Sequence, residues 1–332
     1  MNSQHQEPEF TITLLEDMPV IHLPARLTVL EAVTFKANFQ DLIKTEPIPN
    51  QVIVDFQNTN FIDSSGVGAL VNNYKAAKAK EIELIVQNVN PTIGGVLAMT
   101  GLDELLQVKS DSLFEGKNSS LNREQNLPET HPSIRSKIKR AIDILGGVVG
   151  LIITAALFIP IVAAIKLDSP GPIFFQQTRC GWLGQEFKIW KFRSMCADAE
   201  SRKSEVKNEA SGAIFKNEND PRVTAVGRFL RRTSLDELPQ FWNVVRGEMS
   251  LVGTRPPTPN EVDTYEVPEW QRLDVKPGMT GEWQVNGRSQ VKDFEDVIKL
   301  DLRYQQNWSL VYDLKLIIKT ILILFNKNSG AY

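Results

Sequence analysis

The sequence predicts a multidomain chain of α/β and α+β class, in which a small α/β domain leads and a mostly helical, membrane-associated domain follows. Three observations predict it. Short apolar runs alternate with helix-like spacing from about residue 10 to residue 110. One apolar run without a charge, Ile144 to Ile165, stands in the second half. Charge divides the chain as well: residues 1–131 hold 9 basic and 17 acidic side chains, and residues 132–332 hold 28 and 23, so an acidic first part is joined to a basic second part.

The first domain is assigned to residues 9–110. Thr11 to Leu15, Val20 to Leu23, Val52 to Phe56 and Ile82 to Val86 have the apolar, turn-bounded character of strands. Glu31 to Lys44 and Val67 to Lys80 between them carry apolar residues at helical spacing. Residues 111–133 are rich in Ser, Asn and Glu with no apolar period, and are assigned to a linker. The remainder, residues 134–332, forms the second domain. Two cysteines, Cys180 and Cys196, make no disulfide framework and fit a reducing compartment. The first residues lack a basic-then-apolar leader, so the start of the chain is expected to stay in the cytoplasm.

A membrane helix is expected at about residues 141–166. A charge-free run of this length suits a bilayer core about 30 Å thick. Pro160 removes a helix hydrogen bond and forces a bend, while Gly146, Gly147 and Gly150 weaken the first turns. Arg135, Lys137, Lys139 and Arg140 precede the run; Lys166, Arg179, Lys188 and Lys191 follow it. Basic flanks prefer the cytoplasmic side, so two of them favour a helix that enters, bends and returns. An ordinary span and a buried helix of a soluble core are the alternatives. Leu314 to Phe325, broken by Lys315 and Lys319, has the character of a helix lying in the membrane interface, or of one packed on its own domain.

The chemistry is narrowed by what the second domain lacks. All three histidines, His5, His22 and His131, precede the apolar run, which excludes Ser-His-Asp, Cys-His and ordinary zinc sites beyond it. No P-loop or G-x-G-x-x-G turn is present there. Carboxylates, Arg, Lys and a hard metal ion remain. They concentrate in Arg231-Arg232-Thr233-Ser234-Leu235-Asp236-Glu237-Leu238-Pro239-Gln240 and in Ser250 to Pro257. Adjacent carboxylates among arginines suit phosphoryl transfer: a carboxylate can attack phosphorus, and guanidinium groups can hold phosphate oxygens. The same pattern also suits a plain helix start, with Ser234 as cap and Asp236 and Glu237 in its first turn.

From about Lys137 onward the chain resembles the bacterial sugar transferases, monotopic phosphoglycosyl transferases that act on polyprenyl phosphate. The matching runs are Lys166 to Gln176, Phe187 to Met195, Arg231 to Gln240, Met249 to Pro257, Val275 to Gly281, Trp283 to Arg288 and Asp313 to Lys315, in the family's order. The resemblance implies that Asp236 is a nucleophile that takes the phospho-sugar and releases UMP. It implies that Glu237 is its partner in a dyad, that Asp236 and Glu237 hold Mg²⁺, and that Lys191, Arg193, Arg231 and Arg255 bind the substrate phosphates. The implied partners are a UDP-sugar, undecaprenyl phosphate and the cytoplasmic face of the bacterial inner membrane, with a re-entrant membrane helix and a homodimer expected. Family members break that helix at Ser-Pro; this chain has Ile159-Pro160, which leaves the freed backbone group without the serine hydroxyl. The segment Ala197 to Pro221 and the ending Gly330 to Tyr332 are similar to transferases that begin exopolysaccharide repeats, which implies glucose or galactose 1-phosphate as the transferred group.

Residues 9–110 resemble STAS domains, carried by Asp55-Phe-Gln-Asn-Thr-Asn-Phe-Ile-Asp63-Ser64-Ser65-Gly66-Val-Gly68. By motif position Ser65 matches the serine that a kinase modifies in the anti-sigma factor antagonist members. The resemblance therefore implies a regulatory protein or kinase as a partner of this domain. A membrane-anchored STAS scaffold with an inactive transferase, and a phosphohydrolase using water in place of lipid phosphate, are the competing functions. Nucleic acid is not expected as a partner, because the basic residues fall within the transferase motifs and form no stripe.

Overall fold

A computed structural model describes residues 10–16, 18–109, 127–209, 217, 219–286 and 293–325. The chain divides into two compact units. The first runs to Thr130 and takes in two later segments, Leu183–Gln185 and Tyr265–Asp274; the second holds His131–Trp182, Glu186–Thr264 and Val275 onward. Most of the expected linker, together with Gly287, Arg288 and Gly330 to Tyr332, lies outside the described residues.

In the first unit, β1 (Thr11–Leu15), β2 (Met18–His22), β3 (Gln51–Asp55), β4 (Glu83–Gln87) and β5 (Gln107–Lys109) form one sheet in chain order. β1 is antiparallel to β2 and all later pairs are parallel. Parallel neighbours need crossovers, and α1 (Val29–Leu42), α2 (Ser64–Ala79) and α3 (Pro91–Thr100) supply them. Each start has a chemical cause. Thr28 and Glu31 form a capping box on α1, the Asp63 carboxylate accepts the Gly66 N–H at 3.0 Å, and Asn90 accepts from Ile93 with Pro91 in the first turn of α3. Such a cap is worth about 1 kcal/mol. The core is apolar: Ile21, Ile53, Val54 and Val86 of the strands and Phe35, Phe39 and Leu70 of the helices are all essentially buried.

In the second unit one helix, α4 (Lys137–Asp168), is long and apolar enough to cross a membrane by length and composition. It is a single 32-residue helix with Pro160 inside it. Gly146, Gly147 and Gly150 form a contact face on it. A Cβ on Gly150 would lie 2.3 Å from the Phe241 ring, one on Gly147 2.8 Å from Val245, and one on Gly146 2.6 Å from Leu251. Further along, Ile161 and Ile165 pack with Phe192 and Leu230. The opposite side is left bare, with Leu145, Ile152 and Ile159 65–78% exposed.

Against that face lie β6 (Phe174–Cys180) and β7 (Glu186–Phe192), an antiparallel pair, then α5 (Ala225–Arg232), α6 (Phe241–Arg246), β8 (Ser250–Val252) and β9 (Gly278–Thr280), the last two parallel. α7 (Phe294–Gln306) and α8 (Leu310–Phe325) complete the unit. α8 covers Leu314 to Phe325, as expected for a helix. It buries Leu316 while leaving Val311, Ile318 and Leu322 about 60% exposed.

A buried ion pair joins the two ends of this unit. Lys139 Nζ donates to Asp313 at 2.6 Å and to the Val252 carbonyl at 3.0 Å, and Asp313 also accepts from Tyr304 (2.9 Å) and Trp308 (3.2 Å). Both charges are under 9% exposed, so neither can find water if the other is removed. Lys139→Met and Asp313→Leu are each expected to cost about 3–5 kcal/mol, and the double variant less than the sum. Denaturant unfolding of the four proteins in detergent checks this. Additive losses would mean that the two groups are not paired.

Candidate active site

Two elements bring the site together. β7 places Lys191 opposite Phe175 of β6. α5, capped by Thr224, ends in Arg231 and Arg232, and the chain then turns through Ser234 at φ 55°. This left-handed backbone costs a non-glycine residue on the order of 1 kcal/mol. A short 3₁₀ turn follows, Leu235–Gln240, with Asp236 and Glu237 at its start. The Ser234 side chain makes no capping hydrogen bond, so this is not an ordinary helix start with decorative acids. Leu235 and Leu238 instead seat the turn on the Ile161 and Ile165 face of α4, and Thr154 of α4 donates to the Leu238 carbonyl at 3.3 Å.

The electrostatics are those of a carboxylate held against its preference. Asp236 is 6% exposed, and burial pushes its carboxyl above the usual carboxylate range, with Glu237 adding to the effect. Lys191 and Arg231 act in the opposite direction. Lys191 Nζ lies 2.7 Å from Glu237 Oε1, and both side chains stay partly open, at 26% and 34%. Arg231 donates through Nε to Ser194 Oγ at 2.9 Å; burial lowers its own pKa, and Asp236 opposes that.

The other expected phosphate-binding groups are engaged elsewhere. Arg193 is 5% exposed, and its Nη atoms donate to the carbonyls of Pro170 and Ser169, both at 2.7 Å, fixing the turn after α4. Arg255 is held by Glu261 in a two-pronged pair at 2.6 and 3.1 Å. The fold thus brings Lys191 and Arg231 to the dyad directly, and uses Arg193 and Arg255 in contacts of their own. Ser65 belongs to the first unit, at the start of α2, where it is fully buried.

Three residues not singled out for their roles in the sequence shape the surroundings. Asn243 of α6, fully buried, accepts from Trp190 N and donates to the Lys188 carbonyl and to Glu248. It thereby ties the helix after the dyad to the strand that carries Lys191. Glu261 holds Arg255. Arg179 donates to the Pro256 carbonyl at 2.8 Å, and burial beside Arg255 pulls its pKa down to about 10. Asn followed by apolar residues carries no catalytic signal in a sequence, and Glu261 is six positions from its arginine across a Pro-Pro turn, so neither pairing was visible there.

Carboxylate oxygens are the ligand type that a hard cation takes. Asp236 and Glu237 are adjacent oxygen donors, and a positive ion beside them would favour the charged form that burial disfavours. Among the described residues no group of three or more His, Cys, Asp or Glu forms a metal cluster. Mg²⁺ ordinarily takes one or two carboxylates and completes its shell with water and substrate phosphate, which suits a two-carboxylate site.

Residues 134–327 match the family described as bacterial sugar transferase, which covers more than half of the chain. The chain belongs to that family. Residues 9–113 match the STAS domain. Relatives of this sugar transferase include the galactosyl transferase CpsE of Streptococcus agalactiae, 47% identical over 188 residues, or 56% of this chain and 42% of that one. The exopolysaccharide production protein ExoY of Rhizobium meliloti is 40% identical over 204 residues, 59% of this chain and 90% of its own. The UDP-glucose:undecaprenyl-phosphate glucose-1-phosphate transferase of Escherichia coli is 42% identical over 202 residues, 59% and 41% respectively. The matched part therefore spans nearly all of ExoY but less than half of the other two.

In this sugar transferase Lys191 is the group best placed to keep the dyad charged. Lys191→Gln is expected to raise the Asp236 carboxyl further, moving the acid limb of the kcat/KM profile to higher pH and lowering turnover by roughly 10²-fold. A pH profile of transfer checks both. A limb that does not move would mean that Lys191 does not act on Asp236.

Proposed function

We propose that this protein transfers a hexose 1-phosphate from a UDP-sugar to undecaprenyl phosphate, through a covalent phospho-sugar on Asp236. The observation that carries this is the Asp236–Glu237 pair, one carboxylate buried and the other open, with Lys191 and Arg231 drawing charge onto it. The names of the CpsE and Escherichia coli relatives support galactose or glucose as the sugar, and ExoY supports a place in exopolysaccharide production.

In the first step a carboxylate oxygen of Asp236 attacks the phosphorus that bears the sugar. The bridging P–O bond breaks and UMP leaves with the electron pair. In the second step an oxygen of the lipid phosphate attacks the same phosphorus, the acyl–phosphate bond breaks and the Asp236 carboxylate returns. Lys191 holds Glu237 in place, and with Arg231 it lowers the cost of keeping Asp236 ionised at a buried position. Mg²⁺, held by Asp236 and Glu237, would neutralise the approach of an anionic nucleophile to an anionic donor. A dead scaffold is not favoured, because the dyad and its basic partners are all present.

The acceptor is a membrane lipid, and we propose that α4 enters the cytoplasmic leaflet and returns. A straight course would run about 48 Å for 32 residues, more than a bilayer core. Yet α4 touches its own unit along nearly its whole length: Lys139 meets Asp313, Gly150 meets Phe241, Thr154 meets Leu238, and Ile165 packs with Phe192 and Leu230. A helix crossing the bilayer would draw these polar-faced neighbours into hydrocarbon with it. Entering and returning at one face, it would put the bare apolar side in lipid and the dyad turn at headgroup depth. The STAS-like part is proposed to regulate the enzyme through a protein partner or kinase acting at Ser65.

UMP release from a panel of UDP-sugars, with undecaprenyl phosphate and Mg²⁺, tests the reaction. The native chain is expected to turn over UDP-glucose or UDP-galactose. Asp236→Asn is expected to lose at least 10³-fold. UMP release that persists in the variant would exclude Asp236 as nucleophile, and a clear preference for an N-acetyl sugar would overturn the hexose assignment.

A further inference from the structure

The first unit contains a stretch of chain from far downstream. Tyr265–Asp274 lies within the span matched to the sugar transferase family, yet it folds into the compact unit of the STAS match. It leaves the second unit after Thr264 and returns to it at Val275.

Its landing place is the serine-bearing turn of α2. The Asp274 carboxylate accepts the Ser64 N–H at 2.9 Å, and the Asp274 carbonyl accepts from Thr130 at 2.6 Å. Trp270 lies flat against Gly68: a Cβ there would come within 2.5–2.6 Å of three atoms of its indole. On another side the ring meets Gly184, whose positive φ of 86° forms the hairpin tip that also joins this unit. Lys36 of α1 pairs with Glu266 at 2.5 Å. Arg272 is fully buried and donates to the Tyr265 hydroxyl at 2.6 Å. Two glycines, one cation and one backbone N–H thus meet Trp270, Glu266 and Asp274 of this ten-residue segment.

The fit is tight in its apolar parts and poor in its polar ones. The hydroxyl of Ser65 and the indole N–H of Trp270 are buried without a hydrogen-bond partner. Each would regain one in water. Asp63 and Asp274 crowd the same turn. Burial and the neighbouring Asp63 push Asp274 up to about 8, and burial pushes Asp63 to about 6, with Glu31 adding and Arg26 opposing. A docked element that leaves these groups unsatisfied is suited to two states.

We propose that Tyr265–Asp274 is a releasable internal ligand of the α2 turn, and that its docking and a phosphate on Ser65 exclude one another. The proposal deepens the regulatory reading of Ser65 and rests on it. Ser65 is fully buried, one residue from the Asp274 contact and three from the Trp270 contact, so a kinase needs this turn opened. Phosphorylation replaces the hydroxyl hydrogen with a phosphoryl group from a nucleoside triphosphate, the proton passing to solvent and the nucleoside diphosphate leaving. The phosphate adds bulk and charge at a fully buried position next to Asp63 and one residue from the Asp274 contact, and redocking is opposed. By linkage, whatever releases the segment favours modification, and modification favours release. In the chain the segment is preceded by Glu261, which holds Arg255, and followed by β9.

Hydrogen exchange of the full chain in detergent tests the proposal on native protein, Ser65→Ala, Ser65→Glu and Trp270→Ala. Ser65→Glu and Trp270→Ala are expected to speed exchange at residues 64–68 and 265–274 by at least tenfold. β3 and β4 should keep native protection, and Ser65→Ala should behave as native. Trp270→Ala adds neither bulk nor charge, so it still decides the matter if Ser65→Glu fails to fold. Segment protection unchanged in Trp270→Ala would overturn the proposal. So would loss of protection spreading through β3 and β4, or release in Trp270→Ala with none in a folded Ser65→Glu. None of these readouts needs sugar transfer. If native protein from cells carries no phosphate on Ser65 while the variants open as expected, the regulatory reading fails and the releasable segment stands.

Discussion

The second unit is organised around one constraint, a carboxylate buried where charge is disfavoured. Asp236 is 6% exposed and stands next to Glu237. Two like charges in such a place survive only with cations nearby, and the fold supplies them from separate elements. Lys191 comes from β7 and Arg231 from the end of α5. Each has its own anchor: Arg231 holds Ser194, and Asn243 ties β7 to the helix that follows the dyad.

The same turn is joined to the apolar helix. Leu235 and Leu238 rest on the Ile161 and Ile165 face of α4, and Thr154 reaches the Leu238 carbonyl. Thus the helix that carries the large bare apolar surface also sets the position of the dyad. Acceptors confined to a bilayer surface and donors dissolved in water can meet only at the boundary between the two. On the function proposed above, a dyad seated on this long apolar helix would satisfy that requirement without a separate anchor.

Much of this was legible in the residues. The run Ile144 to Ile165 announced α4, and the strands and helices expected between Thr11 and Val86 all form. The helix Pro91–Thr100 was not anticipated, although Asn90 as cap, Pro91 in the first turn and Gly101 beyond the end marked it. Gly146, Gly147 and Gly150 read as weak turns in the sequence, which does not show what lies opposite; Leu251, Val245 and Phe241 fill the space they leave. Asp236, Glu237, Lys191 and Arg231 come together as expected. Arg193 and Arg255 find partners that no short motif reveals, in the carbonyls of Ser169 and Pro170 and in Glu261. Least legible was Tyr265–Asp274, whose partners Gly68 and Ser64 stand about two hundred positions earlier.

The most direct test of the central claim is the intact mass of the protein after incubation with a UDP-hexose and Mg²⁺ and no lipid acceptor. A covalent route through Asp236 predicts UMP in an amount close to that of the enzyme. It also predicts one hexose phosphate added to the chain, located on the peptide containing Asp236 and discharged when undecaprenyl phosphate is supplied. UMP that forms only when the lipid is present, with no adduct at any time, would contradict it and point to direct transfer between the two substrates.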